Sequence, residues 1–144
     1  MKKPVTSIIL ISVFVIGIVF YINTQNRLHE NQQIGYLLHA QHQLTASIIN
    51  SIETEQTVDH IRGQIQSIRY IGLGAGFFEN VNGYIEYCLV ELDEGGPESV
   101  LPTLKRALAL TDKAVQDQSD KTETLEAWNN FLLEFKFPNS TSAS

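Results

Sequence analysis

Residues Val5 to Ile22 form an unbroken run of 18 uncharged residues, preceded by Lys2 and Lys3. As a helix rising about 1.5 Å per residue, such a run covers about 27 Å, close to the roughly 30 Å of a bilayer hydrocarbon core. The two lysines can snorkel and Tyr21 suits the interface, so the small shortfall is tolerable. No surface helix of a soluble protein carries so much apolar length. The rest of the chain is therefore read as something held at a membrane.

Orientation follows from charge. Lys2 and Lys3 favour the cytoplasmic side, and the only basic residue soon after the run is Arg27. A cleaved signal peptide needs small residues at its exit, whereas this exit reads Val19-Phe20-Tyr21-Ile22-Asn23-Thr24. The single cysteine, Cys88, is too far away for a lipoprotein anchor. The anchor pairs Gly17 only with Ser7 and Ser12, so no Gly-x-x-x-Gly dimerisation face is specified. The expected organisation is a cytoplasmic stub at 1–4, an uncleaved transmembrane signal-anchor at 5–22, an exported helical-bundle domain at 23–137 and a disordered tail at 138–144. The expected location is the inner (plasma) membrane, single-pass, with the C-terminal domain periplasmic or extracellular.

All sixteen acidic residues lie from Glu30 onward, while two of the ten basic ones are Lys2 and Lys3, so the remainder carries eight excess negative charges. Nucleic acid and anionic lipid both call for Lys/Arg patches, which this composition does not supply. A basic partner is the electrostatic complement, and a merely soluble acidic domain is the plainer reading. One cysteine permits no intramolecular disulfide, so the core must be built by packing.

The exported part reads as all-α. Ile34, Leu37, Leu38, Leu44, Ile48, Ile49 and Ile52 recur at helical spacing over Asn23–Glu55 with no proline, on a helix continuing from the anchor. Val58, Ile61, Ile65 and Ile68 mark a second helix, with Arg62, Gln66 and Arg69 turned away. Gly72-Leu-Gly74-Ala-Gly76 is either a loop or a close-packed kink. Phe77, Val81, Tyr84, Ile85, Cys88 and Leu92 predict a third helix, although Tyr84–Val90 is also rich in β-formers. Glu94-Gly95-Gly96-Pro97 predicts a turn, with the next helix opening near Pro97 or Ser99 and Pro102 in its first turn. Leu101, Leu104, Leu108, Thr111 and Val115 mark the buried face of that fourth helix. Asp120 with Glu123 predicts a capping pair for a last helix that buries Leu125, Trp128, Leu132 and Phe135 and ends at Pro138. The sum is a single transmembrane helix followed by a small antiparallel bundle of four to five helices.

Chemistry-bearing patterns are few. His39 and His42, with His29 and His60 elsewhere, lack an obvious third ligand at zinc spacing, so no metal site is predicted. Phe77 stands at the third glycine of a Gly-x-Gly-x-x-Gly fingerprint and no P-loop Lys-Ser/Thr follows, so the glycines predict no nucleotide cofactor. Cys88 shares a face with Val81, Ile85 and Leu92 and reads as a buried thiol. Asp59-His60 is no dyad, because helical neighbours point about 100° apart. Glu91, Asp93, Glu94 and Glu98 lack the order of a calcium loop and read as a solvated acidic turn or a partner-binding patch. Asn139-Ser140-Thr141 matches a glycosylation acceptor in the tail.

The expectation is a non-enzymatic, membrane-tethered interaction module, such as an inhibitor, an immunity protein or an accessory subunit, that meets another extracytoplasmic or membrane protein. The alternative is a ligand-sensing bundle working through a separate transducer. In topology alone the arrangement resembles the extracytoplasmic bundles of bacterial chemoreceptors and sensor kinases. Those bundles return through the membrane on a second span, and no second apolar run follows here, so the resemblance carries no residue assignments.

Overall fold

The computed structural model describes residues 3–73, 78, 80–116 and 121–135. Those residues form five helices and no strand: α1 (Lys3–Glu53), α2 (Val58–Leu73), α3 (Val81–Gly95), α4 (Pro97–Gln116) and α5 (Thr122–Leu133). Tyr84–Val90 is helical, as the longer period requires. The chain divides into one unit ending at Gln33 and another beginning at Ile34.

In the first unit the apolar stretch is solvent-facing from Ile8 to Ile22, with Phe14 and Phe20 among its most exposed residues. Its best window has a mean hydropathy of 2.2 and none of it is buried, so this helix is long and apolar enough to cross a membrane. Two of its hydroxyls are satisfied within the helix: Ser12 Oγ donates to Ile8 O and Thr24 Oγ1 to Phe20 O, both at 2.9 Å. That pairing suits an environment that offers no water.

The second unit is an antiparallel bundle built from the 34–53 stretch of α1 with α2, α3 and α4. Gln64 Nε2 donates to Ser47 Oγ at 3.0 Å, joining α2 to α1. Arg62 joins α2 to α3 through Asp93. Glu53 meets Lys105, and His42 Nδ1 lies 3.2 Å from Thr111 Oγ1, closing α4 back onto α1. Each partnership is antiparallel, which is the up-and-down arrangement that short connections dictate. α5 packs antiparallel on α4, where Arg106 grips Glu134, and therefore parallel to α3, where Asn80 Nδ2 donates to Leu132 O at 3.0 Å.

Ile61, Ile65 and Ile68 of α2 are fully buried, whereas Val58, in the first turn, is 41% exposed. On α3, Val81, Tyr84, Ile85, Cys88 and Leu92 face inward as their spacing predicts. Phe78, Tyr84, Trp128, Phe131 and Phe135 interlock where α3 meets α5, edge-on or tilted except for the stacked pair Trp128–Phe131, with Tyr84 and Trp128 centroids 6.0 Å apart. Fully burying one such ring stabilises by about 1.5–3 kcal/mol, so this cluster dominates the α3–α5 contact.

Three expectations need correction. α4 opens at Pro97, so Pro102 lies inside the helix rather than in its first turn; it is exposed, and Glu98 O forgoes one helical donor. Val115 is 40% exposed because it sits in the last turn of α4, beyond the packed layers marked by Leu104, Ala107 and Thr111. The N-cap of α5 is Lys121, which makes no side-chain capping bond. Asp120, Gly74–Phe77 and Pro138–Ser144 lie outside the described residues, and with them the first member of the predicted capping pair, the glycine loop or kink beyond Leu73, and the tail.

Candidate functional site

The turn carrying the acidic cluster is tightly specified. Gly96 has φ 78° and ψ −179°, a region essentially reserved for glycine, and its N–H donates to Leu92 O at 3.1 Å. Ser99 Oγ lies 2.6 Å from both Glu91 O and Gly96 O, tying the last turn of α3 to the first of α4. A Cβ on Gly95 would stand 2.7 Å from Ser99 Cβ, so the two helices approach as closely there as a glycine allows.

On this turn Asp93, Glu94 and Glu98 are exposed and Glu91 is half-buried. Glu98 lies in the first turn of α4, where the helix dipole favours a negative charge. Asp93 and Glu94 sit at the C-terminal end of α3, where it does not, and α3 has no basic residue in its last turn. α2 supplies the missing cation. Arg62 meets both Asp93 carboxylate oxygens, at 2.5 and 3.3 Å. That hydrogen bond holds the Asp93 carboxyl below its ordinary range and raises the guanidinium of Arg62. Asp93 is thus already engaged, while Glu94 and Glu98 have no ion-pair partner among the described residues.

The same end of the bundle holds a second acidic group that sequence reading missed. α1 ends in a Schellman arrangement, with Gln56 N–H donating to Ser51 O at 2.9 Å and Glu55 N–H to Ile52 O at 3.1 Å. Glu55 fills its left-handed position with φ 54°. Thr57 caps α2 through the His60 N–H at 3.3 Å, and Asp59 occupies the first turn. Glu53 is offset only loosely by Lys105 at 3.9 Å. Because consecutive helices alternate in direction, the α1–α2 and α3–α4 turns fall at one end, opposite Ile34. Glu53, Glu55 and Asp59 therefore join Glu91, Asp93, Glu94 and Glu98. The signal available in the sequence was the shortness of both connections.

The remaining candidates do not come together in one site among the described residues. His39 and His60 are exposed, His29 lies 3.2 Å from Gln33 Nε2, and His42 serves the α1–α4 contact. No group of three metal-ligating side chains forms among the described residues. Cys88 is fully buried, and that burial pushes its thiol up to about 12, the reverse of an activated nucleophile. An open groove of about 490 Å³ runs between α4 and α5 over Ala109, Leu110, Ala127 and Phe131. Its Arg106 is committed to Glu134 and lies 5.2 Å over the Phe131 ring. Comparison with protein families, curated proteins and solved structures finds no match to this chain.

Proposed function

We propose that the chain is a membrane-tethered interaction module whose acidic bundle end receives a basic extracytoplasmic or membrane protein, with no catalytic role of its own. On this reading Lys2 and Lys3 remain cytoplasmic, the 5–22 run anchors the chain, and the bundle lies outside the cytoplasm. The observation that carries it is the convergence of seven carboxylates from two helix connections, against which, among the described residues, only Arg62 and Lys105 form ion pairs. Such a field accelerates encounter with a basic surface and is weakened by salt. Support also comes from Glu55. A non-glycine residue in the left-handed region costs about 1–2 kcal/mol, yet an acid stands there instead of the glycine that would relieve it.

The test is affinity capture of the tagged full chain from its native membranes, quantified by mass spectrometry, beside a Glu91→Gln, Glu94→Gln, Glu98→Gln variant. A stoichiometric basic partner that is lost both in the variant and at high salt is the expected result. A partner retained equally by the variant and in high salt would overturn the reading.

A further inference from the structure

The buried stripe of α1 is not apolar at its centre. Leu38, Gln41, Thr45 and Ile48 follow one another at three- and four-residue spacing, and each is fully buried. Gln41 Nε2 donates to Thr45 Oγ1 at 3.3 Å, but Gln41 Oε1 has no hydrogen-bond partner among the described residues. Two other fully buried groups lack a partner at hydrogen-bonding geometry, the Trp128 indole Nε1–H on α5 and the Tyr84 hydroxyl on α3, whose polar neighbour is the weakly bonding Cys88 thiol one turn along. Buried polar atoms are rarely left so in folded proteins; a fourth, Gln64 Oε1, lies apart on the half-buried side of α2, and the three fully buried residues call for a common cause.

The three belong to one level of the bundle. Tyr84 and Trp128 are in edge-on contact, with centroids 6.0 Å apart. For Gln41 the register comes from Gly35, where a Cβ would lie 3.8 Å from Lys121 Cγ. α1 and α5 both run antiparallel to α4, hence parallel to each other. From that contact Gln41 is six residues on and Trp128 seven, so their heights differ by about one helical rise, 1.5 Å. His42 and Thr111 add a polar contact at the same level.

The unpaired set is also chemically complementary. The indole is a donor only, the amide oxygen an acceptor only, and the phenol can be either. We propose that Gln41, Tyr84 and Trp128 form a buried water-binding site. The water accepts from the indole N–H, donates to Gln41 Oε1 and exchanges a hydrogen bond with the Tyr84 hydroxyl. Three polar partners are what an internal water typically has.

Trp128 is the only tryptophan, so the full chain gives one indole N–H resonance, which isotope labelling resolves in deuterated detergent micelles. Expected is a dipolar cross-peak from that proton to water, of the sign that marks long residence, which persists in Tyr84→Phe. The indole resonance is also expected to move in Gln41→Met. Absence of the cross-peak in the unsubstituted chain would overturn the proposal. So would its loss in Tyr84→Phe, which would make the phenol proton its source, or an indole resonance indifferent to Gln41→Met. The first of these readings needs no variant to fold.

Discussion

Gly83 on α3 lies so close to the carbonyl of Phe135 that a Cβ there would stand 2.6 Å from the oxygen. The same Cβ would meet Asn80 Nδ2 at 3.0 Å, and that amide donates to Leu132 O. A missing side chain thus lets the end of α5 seat on the start of α3. Gly83→Ala should destabilise the bundle by about 1–3 kcal/mol, because backbone oxygen must give way and Phe135 shifts with it. Urea unfolding of the full chain in micelles, followed by circular dichroism, measures this. An unchanged midpoint would mean that α5 is not held there.

Two other glycines should respond in opposite directions. Gly96→Ala forces a side chain into a glycine-only conformation and should cost about 1–3 kcal/mol. Gly63, exposed on α2 with open space around it, should gain about 0.5–1 kcal/mol on substitution by alanine. The pair, measured in one unfolding series, separates backbone strain from helix propensity.

Stability should fall at alkaline pH. Burial raises the Cys88 thiol to about 12 and holds the Tyr84 phenol well above its ordinary value. In the unfolded chain the thiol ionises near 8.5, so between about 8.5 and 12 the folded state holds the extra proton. Each pH unit in that window removes up to about 1.4 kcal/mol. Cys88→Ala should flatten the lower part of this slope, where the thiol ionises before the phenol. A maleimide should label Cys88 only as fast as the bundle opens.

Asp93 and its neighbours should divide between stability and association. Arg62 lowers the Asp93 carboxyl, so the pair's contribution is full above the ordinary aspartate value of about 3.9. It is lost as pH falls through the depressed folded value. Asp93→Asn should therefore abolish that acid-side dependence and change partner capture little. Neutralising Glu94 and Glu98, which have no ion-pair partner among the described residues, should weaken capture and leave the urea midpoint nearly unmoved.

Glu55→Gly should stabilise the α1 terminus by about 1 kcal/mol by relieving its left-handed backbone. The same change should reduce partner capture. A stabilised variant with undiminished capture would remove Glu55 from the proposed surface.

The legible parts were those written in local period. Ile61, Ile65 and Ile68 announced a buried face, and Gly95-Gly96 announced a turn, because each depends only on neighbours along the chain. The acidic end was half legible. Glu91, Asp93, Glu94 and Glu98 stand together in sequence, but Glu53, Glu55 and Asp59 join them only when helices pair antiparallel. Arg62 and Asp93, 31 residues apart, are matched by that same pairing. Gln41 and Thr45 were passed over because a polar residue is normally scored as solvent-facing. Val115 erred the other way, since periodicity continues to the helix end while packing stops a turn sooner.

The interrupted stripe of α1 bears on how the chain is sorted as it is made. α1 runs from Lys3 to Glu53 without a break, so nothing in its backbone marks where a membrane-inserted stretch should stop. The boundary has to be written in side chains. Had Gln41 and Thr45 been leucines, the second half of α1 would offer insertion machinery a continuous greasy face beside the first. Polar groups at its most buried positions make that half a poor guest for lipid. They leave it needing other helices rather than acyl chains to cover the remainder. The same two residues that complicate the core thus set this half of α1 apart from the uncharged 5–22 run that precedes it.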